Sequence, residues 1–178
     1  STLMRSSAAS DVYKRQRELA EFTGFTEEEV QSLCVSYGMP YDRMKQWYDG
    51  YDLKGIQIYN PRSVVCALRD NQLANYWTSS GTYDSIFNYI KGNIADVRND
   101  LVLMVAGEHV PAKMQQYAAT ANVLHTKDQI YSAMVVYGLL TYENGKVFIP
   151  NKELMDKFDE LLLSNQQLGY VYLSLIHI

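Results

Sequence analysis

The sequence predicts a mainly α-helical fold with short β-hairpins, in which a helical subdomain is followed by a winged-helix-like module. Three observations carry that expectation. Apolar residues recur at helical spacing, as in Val30, Leu33, Cys34 and Tyr37, the i, i+3, i+4, i+7 stripe of one helix face. Helix start signals punctuate the chain: Thr26 ahead of Glu29, Asn60 before Pro61, Thr126 ahead of Gln129, and Asn151 before an apolar-periodic run. Short β-rich runs bracket Lys54-Gly55, and others bracket Asn144-Gly145, as tight hairpins do.

Taken in order, Thr26 and Glu29 form a capping box, and Glu27 and Glu28 suit the positive end of the helix dipole. Gly38 ends that first helix. Pro40 opens a second, with Tyr41, Met44, Lys45 and Tyr48 on related faces and Gly50 as its stop. The stretch Trp47–Val65 is the densest run of local signals. Tyr51–Leu53 pairs with Ile56–Tyr59 across Lys54-Gly55. Asn60 then caps, and Pro61 fills the first turn of, a third helix through Leu68. Ser80 or Thr82 starts a fourth, with Ile86, Phe87 and Ile90 apolar. Ala95–Ala106 is a fifth, with Val97, Leu101, Met104 and Val105 inward and Gly107 terminating it. His109–Met114 reads as a short extended piece.

The last part is the most regular. Thr126 and Gln129 form a second capping box, followed by Ile130, Met134 and Tyr137 and a stop at Gly138. Strands Leu139–Tyr142 and Val147–Ile149 flank Asn144-Gly145, where both residues accept positive φ. Asn151 caps a final helix, Lys152–Leu163, with Leu154, Phe158, Leu161 and Leu162 apolar. Helix, hairpin, helix is the outline of the winged-helix-like module.

Both ends carry the mark of a cloning artefact. Asp11–Gln16 (DVYKRQ) can be written GAT-GTG-TAT-AAG-AGA-CAG. The reverse complement reads LSLIHI, which is Leu173–Ile178. An inverted repeat encoding both ends resembles a transposon-end adapter used in sequencing libraries. Ser6–Ser10 resembles the rest of it, and Ser1–Arg5 continue it. Residues 1–16 and 173–178 are therefore expected to be adapter-derived and are set aside from fold reasoning, with both natural termini missing.

The 178-residue chain carries 16 Lys and Arg against 20 Asp and Glu, a net charge of −4. Residues 1–16 hold Arg5, Lys14, Arg15 and Asp11, a net of +2, so the remainder stands near −6. That argues against a dedicated electrostatic nucleic-acid binder, which carries a basic face, and leaves a local basic patch open. No run approaches the ~20 apolar residues of a bilayer span, so no membrane partner is expected. Cys34 and Cys66 lack CxxC spacing and read as two reduced thiols of a cytoplasmic protein, the alternative being a structural disulfide. The fifteen tyrosines recur at helical spacing among apolar residues and read as half-buried core positions.

Candidate site residues are few. Trp47 reads as a packed indole, Asp49 as a helix-end polar contact, Gly50 as a stop, Asn60 as a cap and Pro61 as a first-turn residue. Arg62 sits in the first turn of a helix, where an arginine can stabilise phosphate charge; the alternative is a solvated or ion-paired surface arginine. No catalytic residue and no metal site is expected. His109 and His125 have no partners at ligand spacing, and no Ser or Cys sits in a nucleophile turn. The helix Asp128–Tyr137 has no Lys or Arg after Lys127, and the following hairpin carries only Lys146, which favours a packing role over DNA recognition.

FTGFTEEEV (Phe22–Val30), MKQWYDGY (Met44–Tyr51), IYNPRSVV (Ile58–Val65), YWTSSGTYDSI (Tyr76–Ile86) and VFIPNKEL (Val147–Leu154) occur in this order along the chain. In these motifs the chain resembles the predicted AAA-ATPase-like proteins of bacteria and archaea, which join an N-terminal P-loop ATPase to a C-terminal PD-(D/E)xK nuclease-like domain. The resemblance spans nearly all of Arg17–Tyr172. It implies that residues 17–70 are the C-terminal end of the ATPase region, 71–125 a helical linker subdomain and 126–172 the winged-helix-like module. That boundary makes Arg62 the best single candidate for contact with a nucleotide phosphate in the parent, although the family often has an aromatic residue at this position.

The departures shape the expected function. A phosphate loop needs GxxxxGK[ST], and no such run occurs here. The nuclease carboxylates and lysine would lie beyond Tyr172. The expectation is a non-catalytic fragment that supports the missing P-loop core. ATP and Mg²⁺ are implied for the parent, with no cofactor in the fragment itself. Its implied partners are the missing ATPase core and the nuclease-like domain of the same chain, with nucleic acid reached through the parent. The alternative is a stand-alone winged-helix-like module that binds DNA or protein.

Overall fold

The computed structural model describes residues 24–53, 56–81, 83–84, 97–115, 124 and 126–164. The expected adapter segments, the Lys54-Gly55 turn, His125, and Ile86, Phe87 and Ile90 of the fourth helix lie outside the described residues. The described part is mostly helical with small antiparallel sheets. The chain divides into two units between Ala74 and Asn75.

The first unit opens with strand β1 (Phe25–Thr26) and helix α1 (Glu27–Tyr37). The capping box is present: the Thr26 hydroxyl accepts the Glu29 N–H at 3.4 Å, and the Glu29 carboxylate accepts the Thr26 N–H at 2.8 Å. Val30 and Cys34 are buried, but Tyr37 is 60% exposed. The buried stripe is therefore shorter than its apolar spacing predicts. Tyr37 stands in the last turn, next to Gly38, where the chain reverses towards helix α2 (Tyr41–Tyr48).

Strands β2 (Tyr51–Leu53) and β3 (Ile56–Tyr59) pair antiparallel, with Tyr51 opposite Ile58 and Leu53 opposite Ile56. β3 is central: β1 pairs along its other edge, Phe25 opposite Tyr59. Gly24 makes that approach possible. A Cβ there would stand 2.2 Å from Ile58 Cγ2 and 2.8 Å from the Tyr59 carbonyl oxygen. Helix α3 (Pro61–Asp70) follows, two residues longer than its sequence signals suggest. Asn60 Oδ1 accepts the N–H groups of Arg62 and Ser63 at 3.0 and 3.3 Å. Pro61, which has no N–H to satisfy, takes the first helical position. α1, α2, α3 and β3 pack on one another around Val30, Met44, Tyr48, Tyr59, Val64 and Ala67, all fully buried.

In the second unit, Ser80 caps the fourth helix, and the other expected start, Thr82, lies outside the described residues. The Ser80 hydroxyl accepts the Tyr83 N–H at 3.2 Å, and its carbonyl accepts the Asp84 N–H at 3.1 Å. Helix α4 (Arg98–Val105) buries Leu101, Val102 and Met104, with Val97 buried just ahead of it. Strand β4 (Val110–Pro111) lies within the expected extended piece. Helix α5 (Lys127–Val136) has the Thr126–Gln129 capping box and buries Ile130, Tyr131, Ala133 and Met134.

The hairpin strands are β5 (Thr141–Glu143) and β6 (Lys146–Phe148), displaced from the expected bounds. The displacement has two causes. Leu139 and Leu140 close the end of α5, both donating to the Met134 carbonyl. The two-residue turn makes Glu143 and Lys146 the last ladder pair. Asn144 and Gly145 take φ of 49° and 80°, the all-positive turn that suits strand twist. β4 pairs with β6, so the sheet order is β4-β6-β5. Helix α6 (Lys152–Ser164) starts at Asn151, whose Oδ1 accepts the Leu154 N–H at 3.1 Å. It packs on α4 through Leu162, Val102 and Val105. No described helix is long and apolar enough to cross a membrane.

Candidate functional site

The singled-out residues fall at two neighbouring places in the first unit. Trp47, Asp49 and Gly50 lie at the end of α2. Trp47 is half-buried, its ring 6.1 Å from that of Tyr48 at 52°. Asp49 closes the helix, its N–H donating to the Lys45 carbonyl at 3.0 Å, and Gly50 follows with φ 104°. Asn60, Pro61 and Arg62 form the start of α3. Arg62 is exposed, and its backbone N–H is held by Asn60.

Beside the α2 group lies a polar cluster that sequence reasoning did not assemble. Tyr41 donates to Glu27 Oε1 at 2.5 Å, and Lys45 Nζ reaches the same oxygen at 2.9 Å. The Tyr41 hydroxyl also meets the fully buried Tyr59 hydroxyl at 2.9 Å. Lys45 Nζ lies 3.9 Å from Asp49 Oδ2. The cluster joins α1, α2 and β3. Its available signal was Tyr41, Lys45 and Asp49 at successive i, i+4 spacings on one helix face; its missing half, Glu27 and Tyr59, is remote in sequence.

Electrostatics follow from these contacts. The Tyr41 hydroxyl, then Lys45, hold the Glu27 carboxyl below its usual range. Burial and the Glu27 contact push Tyr41 up. Burial, then the Tyr41 contact, pushes Tyr59 well above the ordinary phenol value. Glu27 raises Lys45, so its ammonium stays charged. Burial raises Asp49, against the Gly50 N–H and Lys45. The phenols are thus kept neutral and the Glu27–Lys45 pair ionised at neutral pH. The cluster can tie three elements together by charge-assisted hydrogen bonds, and of its two carboxyls Glu27 shifts towards the ionised form and Asp49 towards the neutral one.

In the second unit, the Glu153 carboxylate on α6 is 2% exposed and accepts the Trp77 N–H at 2.6 Å and the Thr78 N–H at 3.4 Å. Sequence reasoning missed this residue too, because a glutamate in a first helical turn reads as a dipole partner. His109 is exposed and stacks on Phe148, with ring centres 3.9 Å apart and planes 3° from parallel. Among the described residues, no group of three or more His, Cys, Asp and Glu side chains is placed to hold a metal ion.

No family model matches the chain, and no solved structure matches it. A stretch of 61 residues is 30% identical to an uncharacterized protein in the vnfD 5′ region of Azotobacter chroococcum mcd 1. That stretch is 33% of this chain and 12% of the other protein, so the chain spans only a small part of the relative it matches.

Proposed function

We propose that this chain is a non-catalytic segment of an ATPase-like protein, whose role is to support a P-loop core carried elsewhere in the parent. One observation carries the reading. The residues on which the family resemblance rests are engaged in holding backbone: Thr26 and Glu29 in a capping box, Asn60 and Asn151 as caps, Glu153 across to the Trp77 turn. In this reading ATP and Mg²⁺ bind the parent's phosphate loop, the nuclease-like domain follows in the same chain, and the protein is cytoplasmic. Arg62, exposed at the start of α3, is the residue on hand to approach a nucleotide phosphate in the parent.

The same reading makes residues 126–172, within the second unit, a winged-helix-like module. The order α4, β4, α5, β5, β6 with a β4-β6-β5 sheet supports it. A packing role suits it better than DNA recognition. Lys127, the basic residue of α5, is paired with Asp100 at 3.0 Å, and residues 128–136 supply no other cation.

The test is nucleotide binding. The 178-residue chain, titrated with a fluorescent ATP analogue and Mg²⁺, is expected to show no saturable binding at micromolar concentration. The source DNA upstream of Arg17 is expected to encode GxxxxGK[ST] after a strand. Micromolar binding by the chain alone, or an upstream frame without a phosphate loop, overturns the reading.

A further inference from the structure

The turn at Asn75–Ser80 is held under opposing forces. It is closed locally, with the Ser80 N–H on the Trp77 carbonyl at 2.9 Å and the Ser80 hydroxyl donating to the same oxygen at 2.6 Å. The Trp77 ring meets Tyr83 edge-on at 5.2 Å. Against this, two buried polar atoms of the turn, Thr78 Oγ1 and Asn75 Oδ1, have no hydrogen-bond partner among the described residues. A buried polar atom without a partner carries its full desolvation penalty, and opening the turn to water removes it. What opposes opening is Glu153, whose carboxylate takes both the Trp77 and Thr78 N–H groups from across the unit. Both bonds end on one oxygen, Oε1, so a single side chain holds two successive backbone N–H groups.

The geometry points to a conformational latch in the second unit: Glu153 holds the Asn75–Ser80 turn against the start of α6, and the turn opens as a local element when those two bonds are lost. The latch is made by side chain and backbone some 75 residues apart, so the turn can open while the capping of α6 by Asn151 stays in place. Elements that open below the global unfolding free energy are those whose closure depends on few strong contacts. This inference does not depend on the ATPase reading.

Amide hydrogen exchange on the 178-residue chain, resolved by NMR, tests it with Glu153→Ala and Glu153→Gln. In Glu153→Ala the Trp77 and Thr78 amides are expected to exchange at least about tenfold faster, the scale of leaving buried N–H groups without an acceptor, while Ile130, Met134 and Leu154 keep their protection. Glu153→Gln, which keeps the shape and one acceptor oxygen, is expected to give a smaller rise at the same two amides. Unchanged exchange at Trp77 and Thr78 in Glu153→Ala overturns the latch. So does a rise in Glu153→Gln spread evenly over α4, α5 and α6, which would make Glu153 a support of the whole unit.

Discussion

The Tyr48 hydroxyl holds both polar groups of Ala74, donating to its carbonyl at 2.8 Å and accepting its N–H at 3.0 Å. Tyr48 is fully buried, so one phenol at the end of α2 fixes the last residue of the first unit. Tyr48→Phe keeps the ring and removes the hydroxyl. Two backbone groups lose their partner together, so a loss of roughly 1–3 kcal/mol is expected. Urea unfolding should show it as a lower midpoint at unchanged slope. An unchanged midpoint would mean that the hydroxyl adds nothing beyond what water supplies to Ala74.

Gly24 is expected to tolerate no side chain. A Cβ at 2.2 Å from Ile58 Cγ2 forces a shift, and the Tyr59 carbonyl at 2.8 Å blocks one direction of escape. Gly24→Ala must either separate β1 from β3 or displace Ile58, at a cost of about 1–3 kcal/mol. Thermal unfolding checks the loss. Hydrogen exchange locates it, since separation of β1 would raise exchange in β3 before α3.

The polar cluster of the first unit predicts two pH dependences of opposite sign. The folded-state value of Glu27 lies below 4.5, first through Tyr41 and then Lys45. Its stabilising contribution is therefore present above the unfolded value and is lost as pH falls through the folded one. Glu27→Gln should be less stable than wild type at pH 7, and the difference should shrink on acidification below about pH 4.5. Asp49 is raised above 3.8 by burial, so its ionisation opposes folding above that pH. Asp49→Asn should gain relative to wild type as pH rises through the same region. Unfolding free energies measured from about pH 3 to pH 7 distinguish the two slopes, and parallel profiles for both variants would defeat the assignment.

At the second hairpin, Gly145→Ala places a side chain at φ 80° with nothing within 4 Å of the new Cβ. The cost is backbone strain alone, about 1 kcal/mol. Gly145→Asn should recover part of it, because asparagine tolerates the left-handed region better than alanine. Equal melting temperatures for the two variants would show that the turn relaxes to another type.

What the sequence made legible is what lies close in sequence. Both capping boxes, the Asn60 and Asn151 caps and the Asn144-Gly145 turn are set by residues within a few positions of each other, and all are present. β1 was not legible, because two residues have no periodicity and their pairing with β3 lies more than thirty positions away. The Glu27–Tyr41–Tyr59 contacts and the Glu153 latch failed for the same reason: each half of the pair has an ordinary local reading. Tyr37 erred the other way, apolar spacing continuing past the point where α1 has a neighbour to pack on.

The alkaline limb of stability should depend on Tyr131. Its hydroxyl donates to Asp100 Oδ2, the oxygen that also accepts from Lys127 Nζ at 3.0 Å. Tyr131 is 1% exposed. Burial first, then Asp100, pushes the phenol well above its ordinary value of 10.0. The folded state thus keeps a proton that the unfolded chain releases near pH 10. The contribution of Tyr131 is fully present below that pH and declines as pH rises above it, towards the folded value. Tyr131→Phe removes the hydrogen bond and the proton linkage together. At pH 7 it should lose roughly 1–2 kcal/mol. Above about pH 10 its stability should fall less steeply than wild type, with the raised Tyr41, Tyr59 and Lys45 contributing to the slope that remains. Urea unfolding at neutral pH and above pH 10 supplies both numbers. A variant whose alkaline slope matches wild type would place the Tyr131 proton elsewhere than on a bond to Asp100.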